Sequence, residues 1–211
     1  MRYVKDHKLR TRNRIVERAS YGLRRKGADG VSVVDLMKLA GLTHGGFYAH
    51  FDSRDTLVVE AFVLAMDQTV SSWLELTEGM PVEKRFDAIV KAYLSPHHRD
   101  NQARGCALPA LATDIARSSQ KSRRIFATKL EEMIDAFARQ LPKKSSREAR
   151  QVATGAIATM VGSIVLARAA GNRMLSDDIL EAGRQAVRNQ AAVRRSSNVG
   201  MRPVTMKAER A

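Results

Sequence analysis

The chain holds one cysteine, Cys106, among 211 residues. That excludes an intramolecular disulfide framework and a cysteine-pair metal site, and it suits a reducing cytoplasm. Proline is almost as scarce. Pro81, Pro96 and Pro142 fall between apolar-periodic segments, and Pro109 sits early in one, where a first helical turn tolerates it. No alternating apolar–polar run is long enough to propose a sheet. No apolar core of roughly 7–15 residues lies near the N-terminus, so no signal peptide is expected. The most apolar run, Val152 to Ala167, is broken by Thr154, Gly155, Thr159, Gly162 and Ser163. It falls short of the roughly 18 uninterrupted apolar residues of a membrane span, so a buried helix is expected there.

Catalytic signatures are missing too. There is no P-loop, G-x-S-x-G or H-E-x-x-H pattern. His97 and His98 are adjacent and would point different ways on a regular helix, so they read as a loop or cap and not as a metal site. No enzyme, metal or cofactor is expected.

Acidic side chains are in the minority, 22 against 36 basic, for a formal charge of +14. The excess is uneven. Residues 1–54 carry twelve basic and five acidic side chains, residues 55–193 nineteen and sixteen, and the tail from Arg194 five and one. A basic leading segment fits a polyanionic partner. Arg10, Arg12 and Arg14 are candidate phosphate contacts in a leading arm.

What is present is helical periodicity almost throughout. Helices are predicted over 8–26, 32–39, 43–49, 53–77, 82–94, 105–117, 121–140, 146–170 and 176–193, with caps at Ser32, Ser53 and Ser176 and stops at Gly27, Gly41 and Gly171. From Arg194 onward periodicity is lost, and a disordered basic tail is expected over 194–211. The fold class is therefore all-α.

The most informative stretch is Val33 to Phe51. Two short helical segments flank Ala40-Gly41-Leu42, the order of a helix-turn-helix that sets its second helix into the major groove. Leu9, Ile15, Val16, Ala19 and Leu23 form an apolar stripe on the first helix, facing Val33, Leu36, Met37 and Leu39. Phe47 and Phe51, four apart, turn inward and anchor the reader. Thr43, His44, Gly45, Tyr48 and His50 are left outward. Hydroxyl and imidazole donors there reach phosphate oxygens, and Gly45 and Gly46 allow close backbone approach to bases.

Thr43-His44-Gly45-Gly46-Phe47-Tyr48-Ala49-His50-Phe51, followed by Ser53-Arg54-Asp55 and Leu57, resembles the recognition helix and fourth-helix start of the tetracycline-repressor (TetR/AcrR) family. The likeness covers about residues 8–60. It implies a one-chain, all-helical homodimer, usually a repressor, whose larger C-terminal domain binds a small effector and releases a double-stranded operator. By position it assigns phosphate contacts to Ser32, Thr43, Tyr48, His50 and Arg54, and base-reading or groove-facing places to His44 and Gly45. The expected domains are 1–52 for DNA, 53–193 for ligand binding and dimerisation, then the tail. Two departures stand out: Met37 replaces a small residue, and Gly45-Gly46 replace bulkier ones.

Gly105 to Leu111 is similar to a stretch bordering the effector pocket in a subset of these regulators. Cys106 has two readings: a small buried hydrophobe, or an electrophile or oxidant sensor activated by a helix N-terminus and Arg104. Trp73, Tyr93, Cys106, Leu108, Leu111, Phe126, Met133 and Met160 are candidate pocket walls, and the few charges on these faces point to an apolar or aromatic effector. Val152, Ala156, Thr159, Ser163 and Ile164, with Ile179, Gly183 and Val187, form matching stripes for a homodimer seam. The rival class is a non-specific nucleic-acid or membrane-surface binder, which would show no operator preference at physiological salt.

Overall fold

A computed structural model of the chain describes residues 2–141 and 145–192, with side chains from Asp6 onward. The boundary at Pro142, the last residue of the ninth predicted helix and the basic tail lie outside the described residues. Within them every regular element is a helix: α1 (Arg2–Lys26), α2 (Val33–Leu39), a 3-10 helix (His44–Ala49), α3 (Arg54–Thr77), α4 (Val82–Tyr93), α5 (Pro96–Asp100), a 3-10 turn (Gln102–Arg104), α6 (Leu108–Ala116), α7 (Gln120–Ala138), α8 (Ser146–Ala169) and α9 (Arg173–Ala192).

Local chemistry explains most boundaries. Ser32 caps α2 in a reciprocal capping box with Asp35, and Ser53 caps α3 by accepting from the Thr56 N–H. Gly27 and Gly41 take positive φ of 73° and 70°, the left-handed turn in which a Cβ is strained. Pro109 sits in the first turn of α6, where its missing N–H costs nothing.

Several expectations are corrected. The first helix starts at Arg2, not at residue 8, and Leu9 is 57% exposed because the helix outruns the elements it packs against; residues 6–10 are all exposed. Leu39 is likewise half in solvent. Ser176 is no cap: α9 begins at Arg173, and the Ser176 hydroxyl donates to the Ala167 carbonyl at 2.6 Å, tying α9 back to α8. The segment 96–104 holds α5 and a 3-10 turn that periodicity did not reveal, since five residues are too few to show a period.

α3 and α8 are each long and apolar enough to cross a membrane, against the expectation for the Val152–Ala167 run. Both instead supply core: Leu57, Phe62 and Met66 from α3, and Ala156, Met160 and Ile164 from α8, are all buried. The interior is continuous from Ile15 to Val187. Its aromatic centre joins Trp73, Phe86 and Phe137, with Phe137 centred 5.2 Å from each of the other two rings.

Polar bonds lock the first three helical elements to the rest. The buried Arg24 of α1 donates to the Gly105 carbonyl and to Gln68 Oε1, both at 3.0 Å. The Ala28 N–H donates to Asp114 Oδ2 of α6 at 2.7 Å; within the larger unit, Ser122 of α7 donates to Asp55 of α3 at 2.7 Å.

Candidate nucleic-acid interface

The reader is the 3-10 helix His44–Ala49, where an α-helix was expected. Two adjacent glycines lower α-helical propensity, and the short segment closes with tighter i→i+3 bonds, such as His50 N–H to Phe47 O at 2.9 Å. Phe47 and Phe51 are buried and stacked, with centroids 5.6 Å apart, and so pin the segment from below. Met37 is fully buried under the turn. A Cβ built on Gly46 would lie 3.7 Å from Met37 Cε. The two departures from the family pattern thus meet at one place: the large Met37 fills space beneath a residue that has no side chain. Gly45 faces open space, with nothing within 4 Å of a built Cβ.

The outward residues then separate into two groups. Thr43, His44, Gly45 and Tyr48 are exposed, Tyr48 to 71%. Thr43 begins the 3-10 helix without spending its hydroxyl on a cap, and the Tyr48 ring stands edge-on to Phe47 at 5.2 Å and to His44 at 6.4 Å. Rigid packing with the polar tip in water is what a phosphate contact requires. Ser32 is exposed at the start of α2, but its hydroxyl already donates to Asp35 at 2.6 Å, a bond that holds the Asp35 carboxyl below the ordinary carboxylate range.

Arg54 and His50 do not join that outward face. The Arg54 guanidinium turns inward to the Ala28 and Val31 carbonyls, clamping the α1–α2 connection. His50 is half-buried, its Nδ1 has no hydrogen-bond partner among the described residues, and burial together with nearby Lys8 and Arg12 lowers its pKa, so the ring is neutral. Arg12 is also committed, paired with Glu60 at 2.5 Å and seated 4.6 Å over the Phe51 ring. Arg10 and Arg14 stay exposed. Spacing alone could not distinguish an arginine that reaches DNA from one that braces the reader.

The expected pocket walls are close-packed. Trp73, Tyr93, Cys106, Leu108, Leu111, Met133 and Met160 are buried, and Phe126 is half-buried against Phe62 at 5.2 Å. Four clefts among the described residues are lined by other side chains. Within this packed group the Tyr93 hydroxyl, beside the Cys106 thiol, has no oxygen or nitrogen partner. Burial pushes the Cys106 thiol up, outweighing bonds from Tyr93 and the Leu108 backbone. Cys106 precedes α6 without being activated by it, and Arg104 is exposed. Of the two readings of Cys106, this environment is that of a buried, protonated thiol.

The expected dimer stripes lie inside the protomer. Ala156, Ile164 and Val187 have no exposed surface left for a partner to cover. A Cβ on Gly183 would fall 2.4 Å from Ser163 Oγ, so Gly183 and Ser163 are where α9 crosses α8. Val152, Thr159 and Ile179 are half-buried, and Thr159 accepts from Gln190 across the same helix pair. Helical spacing predicts an apolar stripe, and within it Ala156, Ile164, Val187, Ser163 and Gly183 are occupied by packing inside the protomer. The face turned outward carries Val165, Leu166, Met174 and Leu175, at 41, 60, 74 and 51% exposure, beside Gly162, which has open space above it.

Comparison with known proteins agrees with this architecture. Residues 15–61 match the family model described as bacterial regulatory proteins, tetR family, and residues 81–179 match the C-terminal domain of LmrA/YxaF-like transcriptional regulators. No curated protein sequence matches the chain. Among solved structures the fold is shared with a TetR-family regulator from Chloroflexus aurantiacus (22% identity, TM-score 0.67, 88% of this chain and 98% of that one). It is shared also with one from Cytophaga hutchinsonii (19%, 0.67, 87% and 96%) and with the reduced form of E. coli NemR (18%, 0.70, 85% and 95%). Taken with a helix-turn-helix whose reader face is exposed, these matches make the chain a member of the TetR family of DNA-binding transcriptional regulators, and not an enzyme.

Proposed function

We propose that this protein is a cytoplasmic repressor that binds a palindromic operator as a homodimer and leaves it when a small apolar or aromatic effector binds. The observation that carries the reading is the reader itself. Thr43, His44, Gly45 and Tyr48 are held outward by a buried Phe47–Phe51 pair, with the Thr43 hydroxyl unspent. Gly45 and Gly46 offer no side-chain donors, so specificity rests on His44, on close backbone approach and on DNA shape. A single short reader spans few bases. Two readers, about one helical turn of DNA or a multiple of it apart, supply the remaining affinity.

The exposed Val165 and Leu166 of α8 and Met174 and Leu175 of α9 support the dimer, since large apolar side chains left in solvent on two packed helices gain by pairing with a second copy. A DNA-reading unit over 1–52 and an effector and dimerisation unit over 53–193 follow, joined by the Arg24 and Ala28 bonds and the Arg12–Glu60 pair. The effector's place is the aromatic group around Trp73 and Tyr93. A buried Tyr93 hydroxyl whose neighbour is only the weakly bonding Cys106 thiol is suited to a ligand with one hydrogen-bond acceptor, and entry requires the close packing to open.

Mobility-shift titration on the DNA upstream of the gene, at physiological salt, tests the reading. The expected result is binding with two protomers per site and a preference of at least about 1,000-fold over random DNA. Equal affinity for both DNAs would instead identify a polyanion binder.

A further inference from the structure

We propose that the cleft between α5, the end of α8 and the start of α9 is a binding site for a small oxyanion, a carboxylate or a phosphate group. The cleft, open to solvent, has a volume of about 470 Å³, and its walls include Arg99, Asp100, Arg168, Asn172, Arg173 and Ser176.

The charges there do not cancel. Arg99 is fully engaged, with Asp100 at 2.8 and 3.1 Å, Asp177 at 2.6 Å and Ser176 at 2.9 Å. In turn Arg99 occupies both oxygens of Asp100. Arg168 is half-buried and donates only to neutral carbonyls, Nε to Arg99 O and Nη2 to His98 O, each at 3.0 Å, which leaves Nη1 unspent. Among the described residues no carboxylate pairs with Arg168 or Arg173. Asn172 uses its Oδ1 to accept from the Leu175 N–H, so its amide donors are also unspent. Three guanidinium groups (Arg99, Arg168, Arg173) thus stand against two carboxylates, Asp100 and Asp177, both bonded to Arg99, which leaves the cleft with an excess of positive charge and the Asn172 amide donors unspent. Burial also lowers the proton affinity of Arg168, and nearby Asp100, already bonded to Arg99, offsets this only in part. A carboxylate or phosphate restores the balance through charge-assisted hydrogen bonds, for which planar guanidinium is suited.

The cleft shares no lining residue with the aromatic group and is coupled to α1 by a short chain of bonds. Arg168 holds the His98 carbonyl, His98 Nε2 accepts the Cys106 N–H at 3.0 Å, and the neighbouring Gly105 carbonyl accepts from Arg24 of α1 at 3.0 Å. An anion that draws Arg168 toward the cleft is therefore felt at the helix on which the reader rests. That consequence for DNA rests on the regulator reading, whereas anion binding does not.

The test is calorimetric titration of the full chain, without DNA, with inorganic phosphate in one arm and succinate in the other, each against sodium chloride of equal ionic strength. Saturable binding of at least one anion is expected. Phosphate alone identifies a phosphate-bearing ligand, and succinate alone a carboxylate. Arg173→Gln removes a cation at an exposed position. Asn172→Asp keeps the oxygen that caps Leu175 but adds a negative charge in the cleft. Each should weaken binding about tenfold with an unchanged melting temperature. Slowed amide exchange over residues 98–107 in the saturated protein is the expected sign of the coupling. No saturable heat in either arm, or wild-type affinity in both variants, overturns the site; binding with unchanged exchange over 98–107 overturns the coupling.

Discussion

Acidification should destabilise this protein through one histidine. His98 Nδ1 lies 2.6 Å from the Tyr93 carbonyl and Nε2 accepts the Cys106 N–H at 3.0 Å, so the ring is neutral with its proton on Nδ1. Burial lowers its pKa from 6.5 to about 4, against the Tyr93 bond that raises it and with Arg168 and His97 adding to the fall. In an unfolded chain the same ring takes its proton near 6.5. Between about pH 6.5 and 4 the unfolded state therefore holds a proton that the folded state lacks, and stability falls as pH falls. Above that window the full stability is present; below it both states are protonated and the contribution is spent. The window corresponds to about 3 kcal/mol, or roughly 6–12 °C in melting temperature for a chain of this size. Protonation at Nε2 also turns an acceptor into a donor facing the Cys106 N–H, which loses its partner. The assay is urea unfolding of wild type and His98→Gln from pH 7 to 4. The Gln amide oxygen can accept from Cys106 N–H but does not titrate. Wild type should lose about 3 kcal/mol more than the variant over that range. Parallel curves would refute the assignment of His98 as a buried neutral ring.

Four further outcomes follow from the geometry. Arg54→Ala should cost about 2 kcal/mol of stability by leaving the Ala28 and Val31 carbonyls without their donor, while the salt dependence of DNA binding stays unchanged; a slope reduced by about one would make Arg54 a phosphate contact instead. Gly45→Ala should leave the melting temperature within about 1 °C, because the added Cβ meets open space, yet weaken operator binding measured by fluorescence anisotropy. Leu166→Asp with Leu175→Asp should give a folded monomer by analytical ultracentrifugation, whereas Ile164→Asp, fully buried inside one protomer, should fail to fold; a folded, monomeric Ile164→Asp would restore the seam to the inner stripe. Cys106 should react with a disulfide reagent at least about 100-fold more slowly in the native protein than in urea, and a native rate close to the unfolded one would revive it as a sensor.

Much of this protein was legible in its residues. Scarce proline, caps at Ser32 and Ser53, and glycine stops at Gly27 and Gly41 are local signals, and they determine where helices start and end without reference to the rest of the chain. The order of apolar positions around Ala40-Gly41-Leu42 likewise determined the helix-turn-helix and the inward turn of Phe47 and Phe51. Tertiary structure decided what each outward or apolar face meets. Arg12, Arg54 and His50 look like phosphate contacts in sequence, but long side chains reach either way, and carbonyl and carboxylate partners 23 to 48 residues distant drew the two arginines inward. The stripes of α8 and α9 show the same limit. Helical period reveals that a face is apolar, but not whether its partner is a second copy or the next helix of the same chain; at Ser163 and Gly183 that choice was made by close packing within the protomer. Local hydrogen bonding and periodicity are properties of neighbouring residues. Partner choice depends on three-dimensional proximity, which only the folded chain establishes.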